Sequence, residues 1–148
     1  MAVCQWSDLK FRETDDFPAM RLLALESGLE DGSYDDFVSA YGFYDGDALV
    51  ACGAMKEKRG VFSLECLAVK ERFRGRGLGR HLVESLEKNA VKRGAKKMWA
   101  LARAPGFFEK IGYSRVNAEE SEGPTLSGCL NCRQYQRGCN PSIVLKIF

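Results

Sequence analysis

Residues 71–80 read "ERFRGRGLGR", with three glycines and four arginines in ten positions between an apolar run and a helical pattern. Upstream, "GVFSLECLAVK" (residues 60–70) has the short apolar composition of a strand. Downstream, Leu78, Leu82, Leu86 and Ala90 recur every four residues, with Val83 beside them and charges elsewhere, until Gly94 supplies a stop. The spacing predicts a helix opening at Leu78. Glycines at 75, 77 and 79 let the backbone approach a ligand closely, and the following helix aims unpaired N–H groups and its positive dipole end back at the loop. A phosphate or pyrophosphate is the natural occupant. Rossmann spacing fails because position 80 is Arg, and the G-K-[ST] of a P-loop is absent. A plain strand-to-helix turn competes with this reading, but three glycines each cost about 1 kcal/mol in or beside a helix, more than turning requires.

Working outward, "KKMWALA" (residues 96–102) is a short apolar strand, so strand, helix and strand in series imply a right-handed crossover with parallel pairing. Before the loop, "SAYGFYDGDALVACGAMK" (residues 39–56) forms two extended runs joined at Asp45-Gly46, a strong hairpin signal. A turn at Lys58 to Gly60 leads to the third strand of an antiparallel meander, Val61 to Val69. Near the front, Asp15 and Asp16 are fit to cap "FPAMRLLALESGL" (residues 17–29), a helix with Pro18 in its first turn that closes at Gly28. Residues 2–8 are expected to form a first strand, and a short helix is expected around Tyr34 to Val38. Beyond the crossover, Pro105 and Gly112 bracket a short helix, "GFFEKI", and "YSRV" and "SIVLKIF" read as the last two strands.

A chain of 148 residues suits one domain with a real core, without repeats or linkers. No apolar stretch approaches the roughly 20 residues of a membrane span, and "MAVCQWSDLK" lacks the features of a signal peptide, so a cytoplasmic protein with reduced cysteines is expected. Residues 1–60 carry 6 Lys/Arg and 12 Asp/Glu, net −6, whereas residues 61–148 carry 16 and 8, net +8. That asymmetry suits a polyanionic ligand held by the basic part and an amine approached by the acidic part, or simply an unevenly charged surface. Overall near-neutrality disfavours a generic nucleic-acid binder.

In this context Arg74-x-x-Gly77-x-Gly79, after a strand ending in "LAVK" and opening an amphipathic helix, resembles the acyl-CoA pyrophosphate loop of the GNAT superfamily of N-acetyltransferases. "APGFFEKIGY" (residues 104–113) is similar to the short helix and following strand of the same fold. The resemblance implies an α/β fold with a mixed sheet of about six or seven strands, mostly antiparallel with one splayed parallel pair, flanked by about four helices. It implies acetyl-CoA as co-substrate and transfer to a primary amine, an amino acid or another small molecule, by direct attack in a ternary complex. By the same resemblance Leu67, Ala68 and Val69 bond the pantetheine amides, with the Leu67 N–H a candidate to polarise the thioester carbonyl. The backbone of Arg74, Gly75, Arg76, Gly77, Leu78, Gly79 and Arg80 wraps the pyrophosphate, and Phe108, where the family commonly has a Tyr acid, lies against the pantetheine arm.

An alkyl ammonium must lose a proton before it attacks a thioester, so a base is needed. Strand alternation puts Val61, Ser63, Glu65 and Leu67 on one face and Cys66 opposite. Glu65 is the only charged side chain between Arg59 and Lys70, and the resemblance implies that it relays the proton; solvation or pairing with a basic neighbour is the alternative for it. Tyr113 is expected to pack in the core, His81 to be exposed, and Cys4, Cys52 and Cys66 to be ordinary packed thiols. Cys129, Cys132 and Cys139 leave three readings open: structural zinc lacking an identified fourth ligand, unliganded thiols, or redox groups. Their tail, "CLNCRQYQRGC", is also similar to that of a subgroup related to N-acetylglutamate synthases. A catalytically silent acyl-CoA-binding sensor and a zinc-knuckle nucleic-acid binder are the alternative functions, and a homodimer is the default assembly.

Overall fold

The computed structural model describes residues 8–28, 37–102, 105–116 and 142–148. Lys10–Glu13 form β1 and Phe17–Glu26 form α1, whose N-cap Asp16 accepts the Ala19 N–H at 3.2 Å. The strand expected over residues 2–8 falls outside the described residues except for Asp8, which lies in a turn. β1 offered little apolar alternation to read, because it is an edge strand with only Phe11 half-buried. Phe37–Asp45 (β2), Ala48–Lys58 (β3) and Val61–Val69 (β4) form the meander. Val38, expected in a short helix, belongs to β2, where its β-branched side chain and the neighbouring Phe37 extend the strand. The turn into β4 is made by Arg59 and Gly60, both at positive φ, the backbone that matches hairpin twist.

A 3₁₀ turn at Glu71–Phe73 leads to the glycine loop and to Leu78–Lys92 (α2). Lys97–Ala102 (β5), Pro105–Lys110 (α3), Ser114–Val116 (β6) and Ser142–Ile147 (β7) complete the described elements. They form one seven-stranded sheet of order β1-β2-β3-β4-β5-β7-β6, with β4–β5 its parallel pair. The mixed sheet agrees with the expected fold; the described residues contain three α-helices where about four were expected.

The two faces of the sheet are covered by different helices. Met20, Leu23 and Ala24 of α1 are buried, and Met20 and Leu23 pack with Ala40, Tyr44, Cys52, Ala54 and Ala68 on one face. On the other, Leu78, Leu82, Val83, Leu86 and Ala90 of α2 pack over Phe43, Val50, Met55, Phe62 and Leu64. Removing such apolar faces from water is the main driving force for this arrangement. α2 also buries a charge. Glu87, 8% exposed, accepts the Tyr113 hydroxyl at 2.7 Å and the Lys146 ammonium at 3.2 Å, tying α2 to the region of β6 and β7.

Candidate active site

The site begins with an irregularity in β4. Pairing with β3 runs from Lys58↔Val61 to Ala54↔Glu65 and resumes at Cys52↔Ala68, so Gly53 alone stands opposite Cys66 and Leu67. The extra residue is a β-bulge, and Cys66 takes a φ of 57° to make it, a strained conformation for a residue with a Cβ. Gly53 supplies the room: a Cβ there would stand 3.2 Å from Leu67 Cδ1 and 3.4 Å from Leu86 Cδ1. The bulge corrects the expected alternation. Glu65, paired with Ala54, and Cys66, packed with the Met20 cluster, both face α1, whereas Leu67 faces α2.

The other edge of β4 opens at the same place. β4 meets β5 only through Ser63↔Trp99 and Leu64↔Ala100. From Glu65 to Val69 the strands part, so that edge of the β4 backbone lacks β5 as a hydrogen-bond partner. At the strand's end, Arg74 Nε donates to the Val69 carbonyl at 3.0 Å, tying the loop back to β4. Gly75 and Gly77 both have φ of 80°, and Gly77 is the N-cap of α2. The helix's first hydrogen bond runs from the His81 N–H to the Gly77 carbonyl, so the Leu78, Gly79 and Arg80 amides start α2 without intrahelical acceptors.

The glycines and the divergent strands therefore present oriented donors at a helix N-terminus next to a strand edge that β5 leaves unpaired, a combination that fits a diphosphate continued by an amide-bearing chain. Arg72 and Arg76 lie over the Phe73 ring at 4.9 and 5.1 Å, and Arg80 pairs with Glu84 at 2.7 Å. All three guanidinium groups are on exposed residues, where single charges contribute little. Gly79 leaves space for α3: a Cβ would stand 3.4 Å from the Phe107 ring. Phe107, unremarked in the sequence, is thus the ring beside the loop. Phe108 is buried in the core against Phe107 and Tyr113, at centroid distances of 5.1 and 5.3 Å. Successive residues of a helix point about 100° apart, so Phe107 reaches the loop while Phe108 turns further into the core.

On the α1 side, register aligns Phe37, Lys56 and Ser63 in one row and Ala40, Ala54 and Glu65 in the next. Burial raises the Glu65 carboxyl above its usual range, while the Lys56 ammonium and the Ser63 hydroxyl restrain the rise. Lys56 Nζ lies 5.3 Å from the Phe37 ring centroid. Lys56 was also unremarked, although counting outward from the Arg59-Gly60 turn pairs Lys58 with Val61 and Lys56 with Ser63. Phe37 also lines a cavity of about 490 Å³ with Thr14, Phe17, Ser39, Asn89 and Arg93.

Three other expectations have their answers. Tyr113 is buried as a packing residue, its hydroxyl pKa pushed well above the usual value by burial and by its bond to Glu87. His81 is half-buried, not exposed, because its ring packs on Phe11 at 4.6 Å and Phe43 at 5.7 Å; burial lowers its pKa. Cys52 is buried and Cys66 half-buried, and Cys52 Sγ donates to the Cys66 carbonyl at 3.4 Å. Cys4, Cys129, Cys132 and Cys139 lie outside the described residues. Among the described residues there is no group of three or more potential metal ligands, and no helix is long and apolar enough to cross a membrane.

Comparison with known proteins agrees with this geometry. The sequence profile of the acetyltransferase (GNAT) family matches residues 1–113. An uncharacterised N-acetyltransferase of Chlorobaculum tepidum is 30% identical over 89 residues, covering 60% of this chain and 57% of that protein, so the chain spans less than two thirds of that relative's length. N-acetylglutamate synthase of Neisseria gonorrhoeae, complexed with coenzyme A and N-acetyl-glutamate, superposes with a TM-score of 0.69 at 20% identity, over 94% of this chain and 35% of that one. A Mycobacterium tuberculosis protein in complex with CoA superposes with a TM-score of 0.71 at 20% identity, over 94% and 99% of the two chains.

Proposed function

The chain belongs to the acetyltransferase (GNAT) family, and from that premise we propose that it transfers an acetyl group from acetyl-CoA to a primary amine by direct attack in a ternary complex. The observation that carries this reading is the coincidence, within one strand, of the bulge at Cys66, the parting of β4 from β5 and the partly buried Glu65. Acetyl-CoA supplies the electrophile, an acetyl thioester. The amides of Gly75 to Arg80 hold its diphosphate at the N-terminus of α2, with Gly79 and Phe107 shaping the passage beside them. The edge that β5 leaves unpaired at Leu67, Ala68 and Val69 pairs with the pantetheine amides as a neighbouring strand would, and the Leu67 N–H polarises the carbonyl under attack.

Glu65 takes the proton from the acceptor ammonium. Its raised pKa brings it nearer the working pH, where a base is most effective, while burial among Ser63, Ala54 and Cys66 limits competing water. At position 108 α3 offers a phenyl ring in place of a proton donor, which suffices because a thiolate whose thiol has a pKa near about 8.5 is a competent leaving group. The experiment is thiol release from acetyl-CoA with and without a panel of primary amines. Amine-dependent release with a mass gain of one acetyl group on the amine is expected. Tight binding of acetyl-CoA without transfer to any amine contradicts the reading and favours a sensor.

A further inference from the structure

We propose that Lys56 selects the acceptor: its ammonium holds a negatively charged group carried by the amine, so the preferred substrates are zwitterions such as free amino acids. This rests on the acetyl-transfer reading with Glu65 as base. Lys56 pairs with Ser63, which makes it the diagonal cross-strand neighbour of Glu65 on the same face. Such neighbours have Cα atoms about 7–8 Å apart, close enough for long side chains to address two ends of one small molecule. Among the described residues Lys56 forms no ion pair; its ammonium lies toward the Phe37 ring at 5.3 Å.

The electrostatics of this pair discriminate among amines. A simple alkylammonium gains from Glu65 and loses to Lys56, so the patch gives it little net attraction. A polyamine brings a second positive charge toward Lys56 and is repelled. A zwitterion laid antiparallel to the Lys56–Glu65 dipole gains at both ends, with its amine at the base and its anion at the lysine. Both residues are half-buried, which strengthens these interactions relative to exposed charges. Phe37 restricts where the Lys56 ammonium goes, and Ser63 adds a hydroxyl between the two poles.

The test compares matched acceptors with the full chain at saturating acetyl-CoA and at a pH where Glu65 is ionised: glycine against methylamine, 4-aminobutyrate against butylamine, and putrescine. The wild type is expected to favour the carboxylate-bearing member of each pair. Lys56→Met should raise KM for those acceptors about 10- to 100-fold, the loss of one charge-assisted contact, while KM for acetyl-CoA stays within about two-fold. Lys56→Arg should restore the preference, and Lys56→Glu should move it to putrescine, changes that a merely structural lysine would not produce. A carboxylate preference absent from the wild type, or unaltered in Lys56→Met, overturns this assignment and leaves acetyl transfer standing. Failure to acetylate any amine overturns both.

Discussion

Among the single residues, catalysis turns on the protonation of Glu65. Glu65→Gln should lower turnover about 10²- to 10⁴-fold, the contribution typical of a general base, with acetyl-CoA affinity unchanged by calorimetric titration. In the wild type, kcat/KM should rise with pH through a pKa above the ordinary glutamate range, because only the carboxylate accepts a proton. Lys56 holds that pKa down, so Lys56→Met should move the same limb to higher pH; a limb that stays in place contradicts their coupling. Stability carries the opposite sign. A carboxyl with a folded-state pKa above its unfolded value costs folding free energy once pH exceeds the folded pKa, and costs nothing below the unfolded one. Glu65→Gln should therefore raise Tm at neutral pH and lose that gain in acid below the usual carboxylate range, in a pair of thermal melts.

At the scale of elements, the turn into α2 and the bulge in β4 set the geometry. Gly77→Ala forces a Cβ into a left-handed conformation that costs about 1–2 kcal/mol, so it should lower Tm and weaken acetyl-CoA binding together. Gly79→Val, with its neighbour Phe107 at 3.4 Å, should narrow the passage and weaken binding with a smaller loss of stability, because its φ is not in the left-handed region. Thermal shift and calorimetry on the same preparations separate these effects. The helix at Leu78, the two hairpin turns, β5 and α3 were legible because their signals are local: four-residue spacing, left-handed turn residues, a proline at the start and a glycine at the end. The bulge was not, because it is a disagreement in register between β3 and β4 that neither strand reveals alone. Its consequence was to place Leu67 and Glu65 on opposite faces.

For the whole molecule, the buried charge on α2 illustrates the same limit over longer range. Glu87 occupies a helical position that reads as a solvated charge, and its partners Tyr113 and Lys146 lie 26 and 59 residues away in sequence. Removing either leaves a buried carboxylate short of a partner, at about 1–3 kcal/mol; Tyr113→Phe and Lys146→Met should each lower stability on that scale in urea denaturation. Both should leave KM for acetyl-CoA near its wild-type value, since the triad fastens α2 to the β6–β7 side, away from the parted edge of β4. Family membership and the fold agree with the glycine loop read from sequence, whereas the acceptor side depends on cross-strand neighbours that only the assembled sheet reveals. In the proposed reaction the loop amides and the open strand edge together receive acetyl-CoA. A crystal structure of the chain with acetyl-CoA is the decisive experiment. Diphosphate density is expected on the amides of residues 75–80, with the pantetheine chain paired with residues 67–69; a carrier bound elsewhere, or a loop left empty beside a saturating ligand, would overturn the assignment.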